Sequence, residues 1–315
     1  MKIIKAEFTD FDVYNDTIEG WNLEYNVLSK RDFKATLNMF FDDTFSLSRI
    51  TLHGKLVHSG HSPIGYRTVI IPIRKQEQFI WNNKAVTGND MLIFHKNCTL
   101  EAVTFNNFDA YVISIENKVL QEKINLLGYK NCKAVFTDNE KIVLLEDSFL
   151  QVFSDLSDYF LNQHISNSSL NNINVLEHDK LINIIIEEFL YYIENTNLKK
   201  EKRIVNKRST AVKNAINLIH NNSEELYTVK ELCILTNVSE RTLLYSFKER
   251  FNVTPSEYIK AYRLNKVKNE IFALRNQNIN ISTIAGKYNF WHMGQFAQDF
   301  QKQFGILPSE ILERK

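Results

Sequence analysis

Proline and glycine are scarce in this sequence, four and nine among 315 residues. That excludes collagen-like repeats and the Pro/Gly-rich low-complexity segments that stay unfolded. Cysteine is scarcer still. Cys98, Cys132 and Cys233 are odd in number, widely spaced and set in apolar runs, so they read as buried reduced thiols rather than a disulfide framework. Long hydrophobic runs are missing too. The greasiest stretch, "LINIIIEEFLYYI", is broken by Asn183, Glu187 and Glu188 and is too short to cross a bilayer. The opening "MKIIKAEFTDFDVYND" has no sustained apolar segment and no small-residue cleavage site, so it does not read as a signal peptide. The expectation is a soluble cytoplasmic protein with no membrane partner.

What is present is ordinary globular material. Apolar residues make up 44% and charged residues 24%, enough for real cores, and the length suits two or three folded units. Net charge is only +1, but it is unevenly divided. Residues 206–315 hold 16 Lys+Arg against 10 Asp+Glu, a balance of +6; the rest hold 22 against 27, or −5. A basic last third on a mildly acidic body points to a polyanion as its partner.

From about Phe45 to Glu116 the chain reads as short strands. "TVIIPI", "EQFIWN", "MLIF", "AVTF" and "AYVISI" are β-branched and aromatic runs separated by turn clusters, at the spacing of an all-β sandwich or barrel. A helix over Leu120–Tyr129 should follow. "EKIVLLEDSFLQVFSDLSDYFLNQ" then places Leu145, Phe149, Val152, Phe153, Leu156 and Phe160 at steps of three and four, an amphipathic helix. The polar loop "HISNSSLNNIN" separates it from a second helix over Val175–Asn195. That pair is read either as packing within the chain or as a dimer interface. "NTNLKKEKRIVNKR", Asn195–Arg208, is a charged linker where a domain boundary falls. The fold class is therefore α+β. Residues 1–120 form a β-barrel domain, 121–205 a helical connector and 206–315 an all-α domain.

The last third carries the strongest signal. "STAVKNAINLIHNN" is an amphipathic helix. Thr228 and Glu231 then have the form of a capping box, T-x-x-E, opening a helix whose expected buried face is Leu232, Cys233 and Leu235. Ser239 caps the next, with Leu243, Leu244, Phe247 and Phe251 as its apolar stripe. Two helices of this size joined by a short turn form a helix-turn-helix, which lays its second helix in the DNA major groove. Asn237, Asn252 and Asn289 sit where helices should stop, and Asn is second only to Gly in tolerating the left-handed backbone of a sharp stop. The pattern recurs in "NISTIAGKYNFWHMGQFAQDFQKQFG", with Ser282 as the expected cap and a recognition helix over Trp291–Phe304. A long helix opening at Thr254–Pro255 and carrying Tyr258, Ile259, Tyr262, Leu264 and Val267 joins the two units. "FGILPSEIL" echoes "FNVTPSEYI", so each half closes on the same phrase and the whole is an internal repeat.

This arrangement resembles the AraC/XylS family of bacterial transcription regulators. "FWHMGQFAQDFQKQFGILPSEIL" is especially similar to the XylS-like branch. The resemblance is strong over about Thr210–Leu312. More loosely, it extends to the N-terminal region, which is similar to the family's cupin-like effector-binding domain. It implies a DNA-binding regulator, more often an activator, that responds to a small-molecule effector, recruits RNA polymerase and can dimerise. Where the family usually has Gly, this chain has Asn237, Asn252 and Asn289.

With the inner stripes committed to the core, the outer faces must read double-stranded DNA. In the first unit these are Arg241, Thr242, Tyr245 and Lys248, which also match the family's contact positions. Arg241 can pair with guanine O6 and N7, and Lys248 suits a phosphate. In the second unit they are His292, Gly294, Gln295 and Gln298, with Gln suited to adenine. Trp291 reads as a core or cap aromatic. Two recognition helices on one linker suit an asymmetric half-site with boxes roughly 34 Å apart.

In the N-terminal half, Arg49, His53, Arg67, Arg74 and Trp81 lie on or beside strands and could meet an anionic or aromatic effector. The rival reading is a cupin-like small-molecule-binding protein or metal enzyme with an accessory DNA-binding domain. His53, His58 and His61 cluster, but separations of five and three place neighbours on opposite faces of a strand, so no metal site is expected. No Gly-rich phosphate loop and no Ser/His/Asp motif is present, so neither an enzyme nor a cofactor is expected.

Overall fold

Strands β1 (Lys2–Phe8), β2 (Asn22–Phe41), β3 (Phe45–His61), β4 (Tyr66–Pro72), β5 (Phe79–Trp81), β6 (Lys84–Val86), β7 (Asp90–Ile93), β8 (Thr99–Thr104) and β9 (Phe108–Glu116) dominate the first part of the chain; helix α1 (Phe11–Thr17) interrupts them. Then come α2 (Asn117–Leu127), α3 (Lys130–Val135), β10 (Lys141–Leu144), α4 (Asp147–Asn167) and α5 (Val175–Asn195). The last part is helical: α6 (Lys207–Asn221), α7 (Val229–Thr236), α8 (Glu240–Phe251), α9 (Pro255–Ala273), α10 (Ile281–Lys287), α11 (Met293–Phe304) and α12 (Glu310–Glu313). This is a computed structural model, and it describes residues 2–9, 11–18, 21–73, 79–82, 84–105, 107–137, 141–167, 175–196, 207–221 and 227–313. Arg74, most of the linker read at Asn195–Arg208 and part of the loop before α5 lie outside the described residues.

The chain divides into two compact units. The first comprises Met1–Glu24, Phe33–His53 and Ser59–Lys202; the second comprises Tyr25–Asp32, Gly54–His58 and Arg203–Lys315.

In the first unit the near-continuous apolar run of β9 makes a central strand, buried along both faces and paired antiparallel with β3 and β4. The register sets Leu47 and Val69 opposite Ile113, and Phe45 opposite Ile115. Side chains alternate across a strand, so these residues share one face with Ile71 and Tyr111. Leu120, Ile124, Phe153, Phe160, Ile185 and Phe189 of the helices pack into the same core. Helices α2, α4 and α5 thus share one core with the sheet. The path β10-β7-β4-β9-β3-β8-β5-β6, with β2 and β1 beyond β3, does not close on itself. Among the described residues the sheet is open, not a closed barrel.

Several elements differ from the sequence expectation. β1, α1 and β2 precede Phe45, where strands were expected to begin; "SKRDFK" inside β2 breaks the apolar alternation that marks a strand. "KIVL" is not the start of the amphipathic helix but strand β10, paired with β7, and α4 begins only at Asp147. Val152, counted in the apolar stripe of that helix, is exposed. Cys98 and Cys132 are buried, and burial pushes the Cys132 thiol up to about 12; Cys233 is only half-buried.

In the second unit two amide side chains bind one backbone residue. Val27 donates its N–H to Asn265 Oδ1 at 3.2 Å, and its carbonyl accepts from Asn265 Nδ2 and Gln303 Nε2, both at 3.0 Å. The same two nitrogens also donate to the Ala261 carbonyl. Asn265 and Gln303 are buried polar groups that find partners this way, as buried amides must.

Candidate nucleic-acid interface

Local chemistry fixes each helix end. Thr228 Oγ1 accepts from Glu231 N–H while the Glu231 carboxylate accepts from Thr228 N–H at 2.7 Å, a reciprocal capping box. Ser239 caps α8 through Thr242 N–H, and Thr254 with Glu257 forms a second capping box ahead of Pro255. Hydrogen bonds from the Thr228 and Thr254 backbones hold the Glu231 and Glu257 carboxyls below the usual range. Leu307 N–H donates to Glu310 in the closing "LPSE", the contact Thr254 makes with Glu257 in "TPSE". The repeated phrase thus repeats a hydrogen bond. In the second unit's first helix the cap is Asn280, not Ser282. Its Oδ1 accepts from both the N–H and the hydroxyl of Ser282, two residues on.

Asn237, Asn252 and Asn289 all stand in the left-handed region, at φ of 53°, 51° and 66°. Each lets a helix stop within one residue and the chain turn into the next element. Leu243, Phe247 and Phe251 are fully buried, with Phe247 and Phe251 packed on Tyr258 of α9. Phe296 and Phe300 of α11 pack with Leu264, Val267 and Ile271 from the other end of α9. Both long helices are therefore pinned by one apolar stripe to the same linker. Leu235 and Leu244, expected in the buried stripes, are exposed. Each is spaced three residues from a buried neighbour, Leu232 or Phe247, and falls at the rim of its stripe, where the period alone does not decide burial.

The outer faces remain. On α8, Arg241, Tyr245 and Lys248 are exposed at steps of four and three. The Arg241 guanidinium lies over the Tyr245 ring at 5.6 Å, a cation–π contact on the exposed face. Thr242 is half-buried and its hydroxyl bonds to Ser239, which ties it to the cap. Lys248 is 3.9 Å from Glu257, a loose exposed pair whose acid is occupied by the capping box. On α11, Gly294, Gln295 and Gln298 are exposed, as is His292 at its N-cap. A Cβ on Gly294 would meet nothing within 4 Å, so this stretch of backbone is open to close approach. Trp291 is neither core nor buried cap. It is 72% exposed immediately before His292, and nothing in its spacing announced that.

The five candidate effector residues do not gather. Arg49 and Arg67 fall opposite Tyr111 and Ile115, on the helix-covered face of the sheet. Arg49 bonds Asp158 at 2.9 Å and Asp109 at 3.4 Å, and Tyr111 donates to the same Asp158. Arg67 donates to Asn117 Oδ1 and the Thr137 carbonyl. His53 is on the surface against Asn107. Trp81 is fully buried beside Phe94, and its Nε1 has no hydrogen-bond partner among the described residues. His58 is buried beside Tyr25, and burial lowers its pKa to about 3. No helix among the described residues is long and apolar enough to cross a membrane.

Comparison with known proteins falls on this same region. A family model described as a helix-turn-helix domain matches residues 232–314. The "Probable thc operon regulatory protein" of Rhodococcus erythropolis is 27% identical over 101 residues, 32% of this chain and 30% of that protein. The "XylDLEGF operon transcriptional activator 1" of Pseudomonas putida is 28% identical over 134 residues, 42% of this chain and 39% of that protein. The chain thus spans well under half the length of these curated relatives. Among solved structures, the AraC-like transcriptional activator CuxR is similar at a TM-score of 0.44 and 11% identity, covering 83% of this chain and 94% of that one. Residues 232–314 form a helix-turn-helix domain similar to those of the operon regulators above, and the AraC/XylS type is the one its own motifs resemble.

Proposed function

We propose that the chain is a sequence-specific, DNA-binding transcription regulator that activates transcription in response to a small-molecule effector. One observation carries this reading: two helix-turn-helix units pack on α9, and each holds its second helix by an inner stripe, leaving the outer face unoccupied. Arg241 is the base reader of the first unit and Lys248 its phosphate contact. Tyr245 holds the Arg241 guanidinium, and Thr242 is a cap residue at the edge of the interface. His292, Gly294, Gln295 and Gln298 form the second contact, with no Lys or Arg in α11 before Lys302. The second box is accordingly the weaker one. The relatives named as operon transcriptional activators support activation, and they favour a regulator over an enzyme; RNA polymerase is the partner that activation calls for in this reading.

The sheet-rich unit takes the effector in this scheme. Of the candidate residues there, Trp81 has the best support, because a buried indole N–H without a partner needs an acceptor. Val152, Tyr159 and Tyr191, exposed on α4 and α5, supply the apolar surface for a homodimer. The site of action is the cytoplasm, where the DNA is. The test is selection of binding sites from random duplex DNA with the purified full chain. The expected motif has two boxes one helical turn apart, roughly 34 Å, the first more strongly specified. A pool that stays random, with or without cell-extract small molecules, would refute the reading.

A further inference from the structure

Of the three tryptophans, Trp291 is the one left largely exposed. Trp81 is fully buried and Trp21 packs edge-on against Phe94, whereas Trp291 is 72% exposed. It is nevertheless held in place. Its Nε1 donates to Asn289 Oδ1 at 3.0 Å, and Asn289 is itself fixed in the left-handed region by the helix stop. Its six-membered ring lies over Gly286 of α10, where an added Cβ would stand 3.4 Å from the ring. One edge is thus anchored by a hydrogen bond and another rests over α10 at Gly286, where an added Cβ would already be in van der Waals contact with the ring.

An indole fixed in this way, yet left in water, is preorganised for contact with something outside the chain. Its address narrows the choice. It immediately precedes His292 and α11, and the N-terminal residues of a recognition helix are those that reach base edges. The exposed groups that follow, His292, Gly294, Gln295 and Gln298, are uncharged or weakly basic. Within α11 no Lys or Arg precedes Lys302, so the outer face of this helix carries no phosphate-binding cation like the Lys248 of α8. A flat apolar ring can offset that lack, and the apolar feature of the major groove is the thymine C5-methyl.

We propose that Trp291 is a direct DNA contact of the second unit, reading a thymine methyl in or beside the second box. The assignment rests on the regulator reading above. Gly286 and Asn289 are its positioning residues: they set the ring but touch no DNA.

The experiment uses the full chain and the duplex it selects, with each thymine of the second box replaced in turn by deoxyuridine, which lacks only the methyl. The wild-type protein should lose about threefold to tenfold in affinity at one thymine. Trp291→Ala should bind the parent duplex about tenfold more weakly and respond equally to thymine and uracil there. Trp291→Phe, which keeps an apolar ring without the bond to Asn289, should retain part of the difference. Gly286→Val, which leaves the indole intact but crowds its seat, should shift the second-box preference and leave the first box unchanged. Thermal unfolding of each variant identifies any that fail to fold, and the uracil series on wild-type protein stands independently of them. Wild-type binding indifferent to every methyl, or a Trp291→Ala protein with the wild-type profile, overturns the assignment. So does weakening by Trp291→Ala that leaves the methyl response intact. If no motif is selected at all, the regulator reading fails first, and the two failures are distinct.

Discussion

Replacing the three left-handed asparagines by glycine should not have one uniform effect. Asn237, Asn252 and Asn289 stand at φ of 53°, 51° and 66°. An ordinary L-residue in that region costs roughly 1–2 kcal/mol, less for Asn, and Gly adopts it without steric cost. Gly returns part of that advantage because its unfolded chain is freer, so a net gain of about 0.5 kcal/mol is expected for Asn237→Gly and for Asn252→Gly. Neither side chain makes a hydrogen bond among the described residues that glycine would forfeit. Asn289 differs, because its Oδ1 accepts from Trp291 Nε1 at 3.0 Å. An exposed bond of this kind contributes at the low end of the roughly 0.5–1.5 kcal/mol range, so Asn289→Gly should come out near zero or slightly destabilising. Alanine at any of the three keeps the Cβ and loses the amide, and should cost about 1 kcal/mol. The assay is amide hydrogen exchange on peptides from α7 to α11 of the full chain, which reports the local opening free energy of this unit. Slower exchange for Asn237→Gly and Asn252→Gly but not for Asn289→Gly supports the reasoning. An equal gain at all three, or no gain at the first two, refutes it.

Two further perturbations probe the same unit. Asn265→Ala strands the buried Val27 N–H and should destabilise by about 1–3 kcal/mol in urea unfolding, because only the Val27 carbonyl keeps a partner, Gln303; a change under about 0.3 kcal/mol would show that the two amides do not hold this backbone. The capping-box carboxyls of Glu231 and Glu257 are held low by the Thr228 and Thr254 backbones. Their contribution is present above the unfolded carboxylate value, about 4.3, and is lost as pH falls through the lowered folded values. The unfolding midpoint should therefore drop between about pH 5 and pH 3, less steeply in Glu257→Gln, and equal slopes in the two proteins would exclude this source.

What could be read from the sequence was what depends on near neighbours. Thr228–Glu231, Ser239–Thr242 and Thr254–Glu257 sit three residues apart, so their caps follow from local chemistry, and the asparagine stops followed from where the apolar stripes ended. Asn280 and Ser282 show the limit of that logic: both can cap, and which one does depends on a backbone angle that spacing leaves open. Strands β4, β5, β7, β8 and β9 were legible as β-branched and aromatic runs, whereas β3 and β6 offered no such run, β2 was hidden by its charges and β10 by lying against a helical period. The effector candidates were the least legible. Arg49 meets Asp158 across 109 residues of chain, and no local pattern announces that the acid is there. Trp291 was misread for a related reason: whether a turn aromatic is covered depends on its neighbours in space, and this ring, resting over Gly286 and bonded to Asn289, is still left 72% exposed.

The central claim is that the outer face of α8 reads DNA, and it is tested most directly by the affinities of Arg241→Ala and Lys248→Ala across single-base variants of the selected site, at several salt concentrations. Loss of a base-reading guanidinium should cost about 1–3 kcal/mol and erase discrimination at one position of the first box. Loss of a phosphate contact should weaken every sequence alike and reduce the salt slope by about one. If both variants keep the wild-type profile and slope, α8 does not enter the groove and the account is wrong at its centre.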